Sequence, residues 1–267
     1  MAGAYYNYAV AIRAFDNFYG IFGSSTFYIH PILKMVSIIL PTYNEAPNII
    51  ELIEELFKNV AGPLEIIVVD DDSPDETWRL VELYNNPNVK LIRRMELRGL
   101  ATAIYAGIKE SKGDIIGWMD ADMCMPASNL KTMLLRLSEC DIAIGSRYVK
   151  GGGDIRRFYR VFFSRAINWF AGLLLGFDIK DYDSGFALFK RHVFDKVTFP
   201  PGGYGDYFIE LIFKSKNANF KIEEVPYVFK RRTKGKSKTT VNVFHYIRLG
   251  FSYILKIIAL KFFRERR

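Results

Sequence analysis

Two carboxylates separated by one residue, Asp120 and Asp122, follow the apolar run Ile115-Ile116-Gly117-Trp118-Met119. At a strand end, residues two apart point to the same side, so both can turn toward one ligand. Such a pair suits a hard divalent cation, Mg²⁺ or Mn²⁺, and a cation held there would neutralise a diphosphate. Alone the pair is a weak signal. Two further acidic clusters end apolar runs in the same manner: Val36 to Leu40 runs into Pro41-Thr42-Tyr43-Asn44-Glu45, and Ile66 to Val69 into Asp70-Asp71-Asp72-Ser73-Pro74-Asp75. In open α/β sheets, ligands bind beyond the carboxyl ends of the strands. The three clusters are therefore expected to converge on one crevice that takes a phosphorylated ligand.

Cations complete the inventory. Arg147, Arg160, Arg232 and Lys238 are the candidate anion binders. A guanidinium fork matches phosphate oxygens, while an ammonium acts as a point charge. Arg232 and Lys238 lie in the basic run Lys230 to Lys238, where the Gly235-x-Ser237-Lys238 ending sets the run apart from an ordinary solvated loop.

The elements that must position these residues alternate. Helical periodicity covers residues 46 to 60, 75 to 84, 100 to 112 and 128 to 138. Between them lie the three apolar runs, the short strand Val89 to Ile92 and the strand Ile142 to Ile144. Helices alternating with β-branched runs predict an α/β fold with a mainly parallel central sheet flanked by helices. The chain has 267 residues, half of them hydrophobic, so one large domain with an appendage is affordable. The net charge of +8 favours anionic partners, among them phosphorylated substrates and lipid headgroups. No nucleic-acid module is recognisable, and binding to nucleic acid is not expected. Cys124 and Cys140 give no disulfide framework and point to a reducing compartment.

Three segments stand outside that alternation. Residues 1–34 are rich in Tyr and Phe and read either as an interfacial amphipathic helix or as a segment extraneous to the domain, with Met35 as its start. Residues 158 to 177 form an unusually apolar helix candidate. Residues 241–267 form another, with His245, Arg248, Ser252 and Lys256 on a polar stripe and a basic tail. No apolar stretch is long enough to span a bilayer. Basic amphipathic helices fit a peripheral protein lying on anionic lipid, and they equally fit surface helices covering a sheet.

The motifs, taken in order, resemble family 2 glycosyltransferases of the GT-A fold, and within them the dolichol or polyprenol phosphate mannose synthases. The resemblance covers residues 35–240. It is carried by Pro41 to Glu45, Asp70 to Asp75, Asp120-Ala121-Asp122, Gly145-Ser146-Arg147-Tyr148-Val149-Lys150-Gly151-Gly152, Asp181-x-x-Ser184-Gly185-Phe186 and Arg232-x-x-Gly235-x-Ser237-Lys238. By that resemblance Pro41, Tyr43, Glu45, Val69 and Asp71 hold the nucleoside. Asp120, Ala121 and Asp122 face the donor sugar-phosphate, with Asp122 the main metal ligand. Arg232 and Lys238 close over the diphosphate. Arg147 and Arg160 meet the acceptor phosphate, and Ser164 with its apolar helix meets the lipid. One position departs from the pattern: Cys124 stands where such synthases carry a Gln that helps bind the metal. A neutral thiol is a poor ligand for Mg²⁺.

The resemblance implies an inverting transfer of mannose from GDP-mannose to a dolichyl or polyprenyl phosphate, at the cytoplasmic face of a membrane, with or without a separate anchoring subunit. An acceptor phosphate is already anionic and needs no general base, unlike a sugar hydroxyl. The chemistry then rests on alignment and charge balance, with Asp120, Asp122 and Arg147 at its centre. Two rivals remain open from sequence. One keeps the fold and uses UDP-glucose; the other is a catalytically silent nucleotide-binding membrane subunit.

Overall fold

The computed structural model describes residues 34–203, 205–235 and 243–262, with backbone alone for 243–249. The expectations for residues 1–33, for Lys238 and for the basic tail fall outside the described residues.

Among the described residues, one sheet runs in the order β3 (Val89–Arg93), β2 (Leu64–Asp70), β1 (Val36–Thr42), β4 (Ile115–Trp118), β7 (Ala187–Lys190), β5 (Ile142–Ser146), β8 (Ile222–Pro226). The strands are parallel except β7, which is antiparallel to both β4 and β5. A small parallel pair joins β6 (Gly153–Asp154) to β9 (Val228–Phe229). The expected mainly parallel sheet is present; β7, α6 (Val193–Lys196) and the strands beyond Gly185 had no reading from sequence.

The strand runs are continuously apolar because both faces of the sheet are covered. Ile38, Leu40, Ile66 and Val68 pack on one side against α1 (Ile49–Asn59) and α4 (Asn129–Arg136). Ile39, Ile67 and Val69 pack on the other against α3 (Leu100–Glu110) and α7 (Asp206–Asn217). The eight-residue helix α2 (Thr77–Tyr84) connects β2 to β3. Close packing explains Gly117 in β4: a Cβ there would collide with the side chain of Leu188 in β7. Any larger residue would push apart the strand that delivers Asp120 and Asp122.

Two long helices, α5 (Phe158–Leu175) and α8 (Val243–Phe262), pack against each other, and α8 also packs on α7. In α5 the buried stripe is small or polar: Ser164, Asn168, Ala171, Gly172 and Leu175. Most of its aromatic residues are exposed, with Phe158 at 84% and Trp169 at 60%, while Phe170 packs against the core. In α8, Ile257 is fully buried while Phe251 and Leu255 are exposed. Lys256 does not belong to a solvated stripe. It pairs with Glu210 of α7 at 2.6 Å and ties α8 to the domain. No described helix is long and apolar enough to cross a membrane.

Candidate active site

The carboxyl ends of β1, β2 and β4 open into one cleft of about 1090 Å³. Pro41, Thr42, Tyr43 and Glu45 enter it from β1 and the following turn, Asp71 from the end of β2, and Asp120, Ala121 and Asp122 from the loop after β4. The three acidic clusters meet because β1 lies between β2 and β4.

Within the clusters, structural and site-facing carboxylates separate. Asp70 is fully buried and closes its own turn, accepting from the Ser73 amide at 2.8 Å and the Thr42 hydroxyl at 2.7 Å. Asp71 accepts the Gly99 amide at 2.7 Å and a forked bond from Arg94, whose Nε lies at 2.7 Å. Gly99 has φ +142°, a conformation that favours glycine, and this turns its N–H toward Asp71 at the start of α3. Asp72 binds Arg93 at 2.8 Å. Val69 requires a correction. It is fully buried under α3 among core side chains and does not line the cleft, because alternation along β2 sends it into the layer below.

Arg232 reaches the other acidic groups. Its Nη2 lies 3.0 Å from Glu45 and 3.1 Å from Asp122, and its Nη1 lies 3.2 Å from Glu45. Burial opposes the guanidinium charge, but Asp122 and Glu45 outweigh it and raise the arginine further. Glu45 also accepts from the Asn48 amide at 2.8 Å, and Asp122 caps the Cys124 N–H at 3.0 Å. The Cys124 thiol is buried, and burial together with Asp122 pushes it far above the ordinary thiol range. The thiol points to the Asp122 carbonyl oxygen at 3.8 Å and forms part of the cleft wall.

The opposite wall is cationic but compensated. Arg147 is buried, and its Nε and Nη2 meet Asp181 at 2.8 and 2.6 Å while Nη2 also bonds Asp183. Burial works against its charge, yet Asp181 and Asp183 hold it well above the usual arginine value. Burial pushes Asp181 up to about 6 against the pull of Arg147, whereas for Asp183 the neighbouring Arg147 and Asn168 win and lower it. Asp183 accepts from Ser164 at 3.0 Å and Asn168 at 2.6 Å, and Ser164 accepts from Tyr148 at 2.8 Å. Arg147 and Ser164 thus line the cleft as members of a buried network, not as isolated lipid or phosphate contacts. Arg160 lines the same wall.

Sequence reasoning missed Arg98 and Arg156, which also line the cleft, and left Asp183 without a role. Arg98 had a signal: it lies between a predicted strand and a predicted helix, on the ligand side of such a sheet. Arg156 had none, because its place depends on the bond to Asp154 at 2.9 Å and on stacking over Phe229 at 4.6 Å.

Residues 37–198 match the family model of glycosyl transferase family 2. The chain belongs to that family. A dolichol-phosphate mannosyltransferase of Pyrococcus furiosus is 40% identical over 80% of this chain, which spans 62% of that relative's length. A polyprenol monophosphomannose synthase of Mycolicibacterium smegmatis is 33% identical over 75% of this chain and 79% of its own. A mannosyltransferase of Pyrobaculum calidifontis, solved with GDP-Man and Mn²⁺, gives a TM-score of 0.61 at 23% identity, over 88% of this chain and 65% of that one. At that identity the likeness is one of fold, and the fold is the expected GT-A type of family 2.

The Pyrobaculum calidifontis neighbour was solved with Mn²⁺. Among the described residues no three His, Cys, Asp or Glu side chains converge on a metal-sized point. Asp120 and Asp122 supply hard oxygens at one edge, and diphosphate oxygens and water would supply the rest, as Mg²⁺ and Mn²⁺ accept.

Proposed function

We propose that this chain transfers mannose from GDP-mannose to a dolichyl or polyprenyl phosphate, with inversion, giving the β-linked lipid phosphate sugar. The observation that carries the reading is the continuity of the cleft. Its lining includes an acidic group, Glu45, Asp120 and Asp122; a cationic group, Arg147, Arg156 and Arg160; and an apolar group, Phe162, Phe163, Ile167, Phe170, Phe251 and Ile254. A metal-bound nucleotide sugar suits the first, an anionic acceptor the second, and an isoprenoid tail the third. Two relatives are named a dolichol-phosphate mannosyltransferase and a polyprenol monophosphomannose synthase, which supports the sugar and the acceptor.

Asp120 and Asp122 would hold Mg²⁺ or Mn²⁺, which neutralises the leaving diphosphate when bound. Arg232 sits where it can meet the same diphosphate, and the Arg147 network fixes the wall against which the acceptor phosphate lies. No residue need remove a proton from an acceptor that is already anionic. The protein's contribution is in-line alignment and balance between two anions. The exposed aromatics of α5 and the exposed Phe251 and Leu255 of α8 support a reading at a membrane surface, and the reducing cytoplasmic face suits two buried free thiols.

A transfer assay tests the proposal. Radiolabelled GDP-mannose and UDP-glucose are offered separately with a short polyprenyl phosphate, Mn²⁺ or Mg²⁺, and a chelator control. Chelator-sensitive label from GDP-mannose in the organic phase is the expected result. Label from UDP-glucose alone would overturn the donor, and no transfer from either would overturn the activity.

A further inference from the structure

The donor's direction across the sheet follows from the strand order. Asp120 and Asp122 mark the diphosphate at the end of β4, and the acceptor wall lies beyond it toward β7 and β5. The nucleoside must extend the other way, over β1 and β2. That end of the cleft is lined by Pro41, Tyr43, Asp71, Arg98, Gly99 and Leu100. Both Asp71 oxygens already accept, one from Arg94 and the other from the Gly99 amide. Arg98 differs. Its guanidinium carbon lies 5.4 Å from the Tyr43 ring centroid. Its one ion-pair contact among the described residues, to Asp72, is 4.0 Å long, and its side chain is 54% exposed. A planar fork beside an aromatic ring therefore stands at the base end with its hydrogen bonds still to be made on ligand binding.

We infer that Arg98 is a specificity-determining residue that reads the O6 and N7 acceptors of guanine with its forked N–H groups. The inference rests on the proposed nucleotide donor. Its chemistry is that of arginine on guanine generally: two acceptors on one edge match two parallel donors. Uracil offers no N7, and its single carbonyl on that edge can take only one prong. The residue thus separates a guanine donor from a uracil donor by geometry, a distinction that a lysine point charge would lose.

Calorimetric titration of the full chain with GDP, 7-deaza-GDP and UDP, at fixed Mn²⁺, tests it in wild type, Arg98→Gln and Arg98→Lys. Wild type is expected to bind GDP on the order of tenfold tighter than 7-deaza-GDP, the scale of losing one arm of a bidentate contact. In Arg98→Gln that preference disappears, GDP weakens on the order of tenfold or more, and UDP changes less than about twofold. Arg98→Lys keeps the charge and still loses the N7 preference. Equal losses for all three nucleotides in Arg98→Gln would assign Arg98 to phosphate or to structure and overturn the inference. So would a wild type that binds GDP and 7-deaza-GDP alike. Failure of wild type to bind GDP while binding UDP would overturn the donor reading itself, and the guanine assignment with it.

Discussion

Nη2 of Arg232 lies 3.1 Å from Oδ2 of Asp122, so a loop beyond β9 supplies the counter-charge to the carboxylate at the end of β4. The same guanidinium holds Glu45 at the end of β1. Two carboxylates from adjacent strands are thus neutralised by one side chain whose own position depends on a loop. A divalent cation arriving at Asp122 must share that carboxylate with Arg232.

Arg232→Gln should therefore bind Mn²⁺ more tightly in the absence of nucleotide, by roughly threefold or more, because a positive competitor is removed. Paramagnetic resonance titration of free Mn²⁺ reads this directly. Transfer should fall on the order of a hundredfold, since a donor to the diphosphate is lost. Unchanged Mn²⁺ affinity would show that Arg232 and the cation do not compete for Asp122.

Asp183→Ala should destabilise the fold by about 3 kcal/mol, the scale for breaking a buried ion pair. Asp183 joins Arg147 at the end of β5 to Ser164 and Asn168 on α5, and all three partners would be left short of an acceptor. Asp183→Asn keeps an acceptor and loses the charge, so its cost should be smaller. Urea unfolding of both variants gives the comparison. A loss below about 1 kcal/mol for the alanine variant would mean that Asp181 alone suffices to hold Arg147.

The cleft's acidic side was legible because β1, β2 and β4 are buried on both faces and end in acid, a pattern that survives without knowledge of neighbours. The other wall was not. β7 is four residues long and runs against its neighbours, a direction that tertiary packing decides. α5 reads as apolar throughout, yet it buries its small and polar stripe and leaves most of its aromatics exposed; helical periodicity cannot say which side faces the domain. Lys256 looks solvated in sequence and is claimed by Glu210, forty-six positions away. Val69 reads as site-facing only until the pleat is fixed.

Both cysteines should resist alkylation at pH 8 in the folded chain and react once it unfolds. Burial pushes Cys140 up to about 11 and Cys124 higher still. An unfolded thiol ionises near 8.5. Between about pH 8.5 and 11 the folded state keeps a proton that the unfolded state releases, so stability falls as pH rises through that window. Cys140→Ala should flatten the fall by up to about 3 kcal/mol at the alkaline end. Parallel slopes for wild type and variant would show that the folded Cys140 ionises normally.

The outward face of α5 should govern attachment to lipid. Phe158 and Leu173 are 84% and 54% exposed, and Phe162 and Trp169, which border the cleft, are 58% and 60% exposed, an arrangement that costs free energy in water and gains it in an interface. Arg157 and Arg165 lie exposed beside them and would meet anionic headgroups. Burying one large apolar side chain is worth about 1.5–3 kcal/mol, so the double variant Phe158→Ser, Trp169→Ser should lose on the order of a hundredfold or more in partitioning to vesicles rich in phosphatidylglycerol. Its thermal stability should stay near that of wild type, because the replaced side chains make few internal contacts. Cosedimentation measures the partitioning, and added salt should weaken binding of the wild type as headgroup attraction is screened. Unchanged binding of the double variant would move the membrane contact away from this helix, and an α5 aromatic face with no lipid partner would then call for a protein one.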